Sequence, residues 1–290
     1  MKKSLYLVLI IFCVCLGACQ SQNIEANPYD TYPPKINDQM KAPSILIFSK
    51  TREWRHEKGI AGGNLFFIKL AEKLGYGFLT TQNGAIFNES DLAKFDVVVL
   101  NSFTGDALSP KQEVAFQNWV EAGGGVISVH GSGDASHQDW AWYQDNVLGT
   151  VFISHPMAPQ FQTADVHTLF PAHPVMAGID KIWSHNDEWY TFDGVPNKAF
   201  TILAGLDEAS YSPVNTVYGV EDLRMGPKPS DHPIIWSRCL GEGRSVYSAL
   251  GHLDTAFQAQ DHARLLENAV NWVSKTTDPE GVYCDSKPAD

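Results

Sequence analysis

Short apolar runs that alternate with helical segments constrain this fold more than any other feature of the sequence. Residues 44–49, 95–101 and 126–130 form three such runs, each suited to a strand buried on both faces. Between them, residues 59–75 carry apolar side chains at helical spacing, and Ser109-Pro110 opens a second helix with a capping serine and a first-turn proline. Strands that alternate with helices predict a mostly parallel sheet covered by helices on both sides.

The second half of the chain is less regular but still predicts strands and a closing helix. Strand-like segments lie at residues 161–167, 199–206, 234–239 and 245–250, and a helix is predicted from about Asp261 to Ser274. Leu240 to Arg244 predicts a hairpin turn between the last two strands. With 290 residues and a net charge of −12, the chain is long enough for one large core, and its acidity argues against a nucleic-acid partner.

The N-terminus resembles a bacterial lipoprotein signal. Lys2 and Lys3 precede an apolar stretch over residues 5–16, which ends in Leu16-Gly17-Ala18-Cys19. The resemblance implies cleavage before Cys19, acylation of Cys19 and a membrane partner through that lipid anchor. No Asp follows Cys19, which by the same resemblance implies the outer membrane of a Gram-negative cell envelope. An ordinary signal peptide with an incidental cysteine is the alternative.

These features divide the chain into four parts. They are a signal peptide at 1–18, a polar tether at 19–43, an α/β domain at 44–275 and a C-terminal tail at 276–290. Cys239 and Cys284 are the cysteines left in the mature, oxidising-compartment protein. Whether they form a disulfide or remain two thiols stays open.

Polar and ionisable residues collect where the predicted strands end. His56 follows the first strand by a short loop, His130-Gly131 ends another, and Gly251-His252 follows the last. Ligands bind beyond the carboxyl ends of the strands in open parallel sheets, so we predict a site at this edge. Residues 183–190 are also rich in polar and aromatic side chains, and we predict that this segment contributes to the site.

The order of these motifs resembles the ThuA family, named for trehalose utilisation, over about Ser44 to Ser274. The motifs are Arg55-His56 with Gly59, Gly123-Gly124-Gly125 before His130-Gly131, His155-Pro156, Asp187-Glu188-Trp189-Tyr190, His232-Pro233 with Trp236, and Gly251-His252. The resemblance implies a flavodoxin-like, class I glutamine amidotransferase-like three-layer α/β sandwich. It also implies a role in carbohydrate or keto-sugar metabolism.

The sequence lacks the nucleophile of a true glutamine amidotransferase. In that superfamily a Cys stands on the tight turn after a central strand, whereas this turn reads Val129-His130-Gly131-Ser132. Thiolate chemistry requires that thiol beside its base, so glutaminase activity is not expected. Ser132 lacks the flanking pattern of a serine hydrolase nucleophile.

Acid–base chemistry on a carbohydrate or keto-carbohydrate is the predicted activity. His130 and His252 are the predicted catalytic pair, and Glu188 and Asp187 are their carboxylate partners. Isomerisation, hydrolysis and elimination all fit this set. The predicted substrate-binding residues are Trp54, Arg55, His56, Gly131, His155, Trp189 and Tyr190, whose rings suit the apolar face of a sugar.

Two alternatives remain open from the sequence. His56, His130 and His252 are candidate ligands for a divalent metal such as Zn²⁺, although no short-spacing motif supports that site. The same residues could instead form a non-catalytic sugar-binding lipoprotein, or each could serve a structural role, as His155 before Pro156 would by shaping a turn.

Overall fold

A single nine-stranded sheet with helices against its faces forms the body of the protein. The computed structural model describes residues 27–37, 40–217 and 219–285. The predicted signal peptide at 1–18 and Cys19 lie outside these residues. Within them, no helix combines the length and the apolar character that a membrane span needs.

Within the described residues, the strands and α-helices lie at the following positions. The strands are β1 (Ser44–Phe48), β2 (Gly77–Thr81), β3 (Val97–Asn101), β4 (Gly125–Val129), β5 (Phe152–Ser154), β6 (Phe161–Thr168), β7 (Ile182–Glu188), β8 (Thr191–Phe192), β9 (Thr201–Leu206), β10 (Val214–Asn215), β11 (Glu221–Asp222), β12 (Pro233–Leu240) and β13 (Gly243–Ser248). The helices are α1 (Glu57–Leu74), α2 (Glu89–Leu92), α3 (Pro110–Glu121), α4 (Ala141–Tyr143), α5 (Gln260–Val273) and α6 (Val282–Asp285).

The sheet has a parallel half and an antiparallel half. Its order is β2-β1-β3-β4-β13-β12-β9-β6-β7. β2, β1, β3, β4 and β13 are parallel, and each of the four pairings from β13 to β7 is antiparallel. Right-handed crossovers place α1 and α3 on opposite faces, because they connect neighbouring strands in opposite directions across the sheet. The α/β fold class predicted from the sequence is confirmed, with a mixed sheet around a parallel core.

Local sequence explains where these elements begin and end. All residues of β1, β3 and β4 are buried, as their continuous apolar runs predict. Ser109 caps α3 in a reciprocal capping box with Gln112, a contribution of about 1 kcal/mol. Gly123, in the left-handed region at φ 125°, lets the chain turn from α3 into β4.

The C-terminal tail is tied to the sheet. Cys239 of β12 and Cys284 of α6 form a disulfide with Cα atoms 5.5 Å apart, which resolves the alternative that the sequence left open. Arg244 reinforces this attachment, because its guanidinium donates to the backbone oxygens of Trp272 and Asp278 at 2.8 and 2.7 Å.

Candidate functional site

Four chain segments bring three histidines and a glutamate together at the carboxyl edge of the parallel strands. His56 lies between β1 and α1, His130 directly follows β4, His252 follows β13, and Glu188 ends β7. In a flat sheet β7 and β13 would be roughly 19 Å apart, because four strand spacings of about 4.8 Å separate them. Contacts at hydrogen-bond distance between these ends show that the sheet curls to close the site.

His130 holds a backbone conformation that is rare for a residue with a side chain. Its φ is 47°, on the tight turn where β4 enters a 3₁₀ turn over His130–Gly133. Such a conformation costs about 1–3 kcal/mol, which the surrounding packing must offset. The next residue is Gly131, and a Cβ at this position would stand 2.8 Å from Nδ1 of His56. A glycine therefore avoids a steric clash with the His56 ring. The turn therefore aims the His130 ring into the cluster and lets His56 approach the backbone.

The ionisable atoms of the cluster are within bonding range of one another. Oε2 of Glu188 lies 3.0 Å from Nδ1 of His252 and 3.4 Å from Nε2 of His130. The two imidazole nitrogens are 3.2 Å apart. The His56 ring meets both other rings edge-on, with centroids 4.6 and 4.7 Å away. One ligand atom from each of the four residues fits within 4.8 Å of all the others.

The protonation of His130 is fixed on one side by the backbone. Its Nδ1 donates to the carbonyl oxygen of Ala249 at 2.7 Å, and a carbonyl can only accept. The remaining nitrogen, Nε2, therefore faces Glu188 and His252. There it either carries a second proton or offers a lone pair to a cation.

Electrostatics separate the cluster into charged and neutral members. Burial alone would lower the pKa of His130, but the hydrogen bond and the charge of Glu188 outweigh it and raise that pKa above its usual value. Burial alone would raise the pKa of Glu188, yet hydrogen bonds from His130 and His252 hold it well below its usual range. Glu188 is therefore an ionised carboxylate at neutral pH.

His56 is the neutral member. Burial, together with the neighbouring His130 and His252, lowers the pKa of His56 to about 2. Its buried Nδ1 has no hydrogen-bond partner among the described residues. A neutral imidazole with an unsatisfied nitrogen is costly unless it gains a partner.

Asp187, predicted from the sequence as a carboxylate partner of the catalytic histidines, contacts backbone nitrogens beside them. Its two oxygens accept from the backbone nitrogens of Gly251, His252 and Glu188 at 2.7, 3.2 and 2.9 Å. His185 approaches the same carboxylate at 3.4 Å. Because Asp187 is fully buried and its oxygens are committed to these groups, the geometry favours a positioning role over contact with a substrate.

The predicted substrate-binding residues divide into those near the cluster and those apart from it. His155 lies 3.3 Å from Oε1 of Glu188 and is part-exposed, and the Tyr190 ring lies 4.4 Å from that of His130. Trp54 is 70% exposed on the loop that carries His56. Trp189 is buried with its indole nitrogen donating to Gln162, so it presents no face to solvent.

Arg55 pairs with Glu57 at 2.7 Å and donates to the Thr51 hydroxyl at 3.3 Å. Ser132 is buried and structural, because its hydroxyl donates to Leu100 and accepts from the Phe103 backbone nitrogen. The structure also adds residues that sequence reasoning missed. Gln160 donates to Oε1 of Glu188 at 2.5 Å, and the Phe161 ring lies 4.9 Å from that of His252. Neither stands in a motif, so the sequence held no signal for them.

Access to the cluster is narrow. His130 and Glu188 have side chains 0% and 2% exposed, whereas the His252 side chain is 14% exposed. Within the cluster, His252 therefore offers the most side-chain surface to a ligand from solvent. The arrangement suits two kinds of chemistry: proton transfer along His252, Glu188 and His130, or coordination of a metal ion between the four residues.

Comparison with known proteins supports this fold and its family. The model of the ThuA family, described as trehalose utilisation, matches residues 44–273. A protein described as ThuA-like from Bacteroides uniformis is 22% identical, with a TM-score of 0.69 over 86% of this chain and 97% of that one. Another from Parabacteroides merdae is 16% identical, with a TM-score of 0.61 over 82% and 91%. No curated protein matches the sequence.

A further similarity extends beyond proteins described as ThuA-like. A cytoplasmic protein from Salmonella typhimurium is 11% identical, with a TM-score of 0.54 over 79% of this chain and 99% of that one. At these identities the solved structures support the fold alone.

Proposed function

The chain belongs to the ThuA family, and we propose that it is an enzyme of the bacterial cell envelope that transforms a carbohydrate or keto-carbohydrate. The proposed site is the cluster of His56, His130, Glu188 and His252, which holds a divalent metal ion such as Zn²⁺. The proposed anchor is an acylated Cys19. The family's description as trehalose utilisation supports the substrate class.

One observation carries the metal proposal: four ligand atoms lie within 4.8 Å of one another. Nitrogen and oxygen ligands about 2.0–2.1 Å from a tetrahedral zinc ion lie about 3.3–3.4 Å apart. The three measured separations among His130, His252 and Glu188 are 3.0, 3.2 and 3.4 Å. Only small side-chain shifts would place an ion between them.

The chemical states of His56 and Glu188 support the same proposal. Metal ligands must be neutral imidazoles or ionised carboxylates. His56 is neutral, Glu188 is ionised, and the Ala249 carbonyl orients His130 so that Nε2 faces the centre. A cation there would replace the proton that Glu188 now stabilises on His130.

The proposed chemistry needs a polarised sugar oxygen and a proton carrier. A bound metal ion would supply Lewis-acid polarisation of a carbonyl or hydroxyl oxygen. In this proposal His155, part-exposed and 3.3 Å from Glu188, would carry the proton, and the exposed Trp54 would stack on the sugar. Gln160 donates to Oε1 of Glu188, which leaves Oε2 to face His130 and His252.

Metal-free acid–base chemistry is the second candidate, and a specific observation favours it. Without an ion, His252, Glu188 and His130 already form a continuous hydrogen-bonded path that ends at the most exposed ring. In that case His252 exchanges the proton with the sugar, and His130 stays behind it.

Product analysis with and without a chelator separates these functions. We expect the protein to convert a member of a panel of disaccharides and their keto derivatives, detected by NMR, and to lose that activity on chelation. The His252→Ala variant should be inactive, whereas His167→Ala, a histidine of β6 outside the cluster, should retain activity.

Each other outcome contradicts part of the proposal. A product that is indifferent to chelation would replace the metal-assisted mechanism with the metal-free one. Saturable sugar binding with no product would make the protein a sugar-binding lipoprotein. Full activity in His252→Ala would show that the reaction occurs elsewhere.

A further inference from the structure

Residues 27–37, here called the N-terminal strap, are fixed to the same edge of the sheet as the candidate site. The Asp30 carboxylate lies 2.5 Å from Nζ of Lys50 and accepts from the Gly84 nitrogen at 2.7 Å. Gln112 donates to the Asp30 backbone oxygen at 2.9 Å, and Asn83 to that of Tyr32 at 2.8 Å. These partners follow β1 and β2 or begin α3, all at the carboxyl edge.

The first residues of the strap reach the loop that carries His56. Tyr29 donates its hydroxyl to Asp106 at 2.6 Å, and the Arg52 guanidinium lies over the Tyr29 ring and donates to the backbone oxygen of Pro28. Arg52 lies in the loop between β1 and His56. Pro28 is therefore held against the loop that leads to His56.

Little chain separates Pro28 from Cys19. Nine residue steps lead from Cys19 to Pro28, and a fully extended chain covers roughly 30 Å in that number of steps. A domain of this size is roughly 45 Å across. A lipid on Cys19 would thus keep the edge where the chain emerges closer to the membrane than the opposite edge.

We propose that the strap orients the domain with the carboxyl edge of its sheet, and so the candidate site, toward the lipid surface. The partner of this edge is a phospholipid headgroup layer. This inference rests on the lipid anchor of the proposed function but not on the chemistry of the cluster. The strap acts as a fixed spacer, because its hydrogen bonds and the Asp30–Lys50 pair attach it to the sheet rather than leaving it as a free linker.

Energy transfer to labelled lipid tests this orientation. The native lipoprotein is reconstituted into phosphatidylcholine vesicles with a headgroup-labelled acceptor lipid. A donor dye is placed on Glu53→Cys, beside Trp54, or on Glu242→Cys, in the turn between β12 and β13 at the opposite edge. The native disulfide is kept oxidised, and both positions are exposed.

We expect transfer from Glu53→Cys to exceed that from Glu242→Cys by about twofold or more, because the strands alone separate the two edges by roughly 17 Å. Releasing the strap with Tyr29→Phe, Asp30→Ala, Arg52→Ala, Asn83→Ala and Gln112→Ala together removes the side-chain groups that hold it. This variant should shrink that difference, and metal binding by the domain should not change.

Different results would overturn the orientation of the domain and the lipid anchor on Cys19. Equal transfer from the two positions, or greater transfer from Glu242→Cys, overturns the orientation while leaving the anchor intact. A strap-release variant that keeps the full difference shows that the strap does not set the orientation. A mass spectrum without acyl chains on Cys19 overturns the anchor and the orientation together, and leaves the cluster's chemistry untouched.

Discussion

At the scale of single residues, hydrogen bonds to supporting groups leave few polar atoms of the candidate site available to a ligand. The Ala249 carbonyl commits one nitrogen of His130, Gln160 commits one oxygen of Glu188, and Asp187 is committed to backbone nitrogens. What remains pointing inward is one atom each from His130, Glu188 and His252, joined by His56. These supporting contacts orient the inward atoms before any ligand arrives.

Asp187 provides a test of positioning at this scale. Asp187→Asn keeps the size of the side chain but removes the charge that the backbone nitrogens of Gly251 and His252 face. Loss of an orienting partner typically weakens metal affinity about 10–100-fold, and we expect a loss in this range. Competition with a chromophoric zinc chelator measures it. Asp180→Asn, at an exposed residue shortly before β7, is the matched control. Equal affinities in the two variants would contradict the positioning role.

Individual residues could be predicted only where they stood in a motif. His56, His130 and His252 were found because each follows an apolar strand, and Glu188 because it lies in a polar and aromatic run. Their separations could not be predicted, since these depend on the curl of the sheet between β13 and β7. Their catalytic and binding roles remain predictions.

At the scale of elements, the sequence predicts best those strands that are continuous apolar runs. β1, β3 and β4 are continuous apolar runs and were predicted at nearly their observed bounds. The sequence does not predict β7 as a strand. Buried and exposed residues alternate along it, but the buried ones after Trp183 include His185 and Asp187, so the alternation is not hydrophobic. β2 lies at the edge of the sheet and is only partly buried, so its sequence carries a weak pattern.

The disulfide between β12 and α6 should stabilise the folded protein. Cys284→Ser removes a crosslink between residues 45 positions apart, which frees the unfolded chain. We expect the free energy of unfolding to fall by about 2–4 kcal/mol. Urea denaturation of the oxidised proteins measures the change. Reducing the wild-type protein should reproduce it, and a reduced wild type as stable as the oxidised form would contradict this contribution.

At the scale of the whole molecule, buried neutral histidines predict acid sensitivity. Burial lowers the pKa of His137 and His173 to about 4, and burial with the nearby His185 lowers that of His262 to about 3. The unfolded value is about 6.5, so below that pH the unfolded chain binds protons that the folded protein excludes. Their contribution to stability is complete above pH 6.5 and is lost as the pH falls toward 4.

His137→Gln isolates one of these histidines. The His137 Nε2 donates to the Phe103 backbone oxygen, a bond that the glutamine amide can replace without titrating. Each such histidine contributes a slope of about 1.4 kcal/mol per pH unit. We expect the stability of the variant, measured by urea denaturation between pH 6.5 and 4.5, to fall less steeply by about that amount. Parallel curves for the two proteins would show that His137 does not contribute.

The proposed metal-assisted function depends on a cation at the centre of the cluster, and metal content measures this most directly. Wild-type protein, His252→Ala and the control His167→Ala would be equilibrated with buffered Zn²⁺ and analysed by inductively coupled plasma mass spectrometry. We expect about one tightly bound ion per chain in the wild type and in His167→Ala, with a large loss in His252→Ala. A wild-type protein without bound metal, or full retention of metal by His252→Ala, would contradict it.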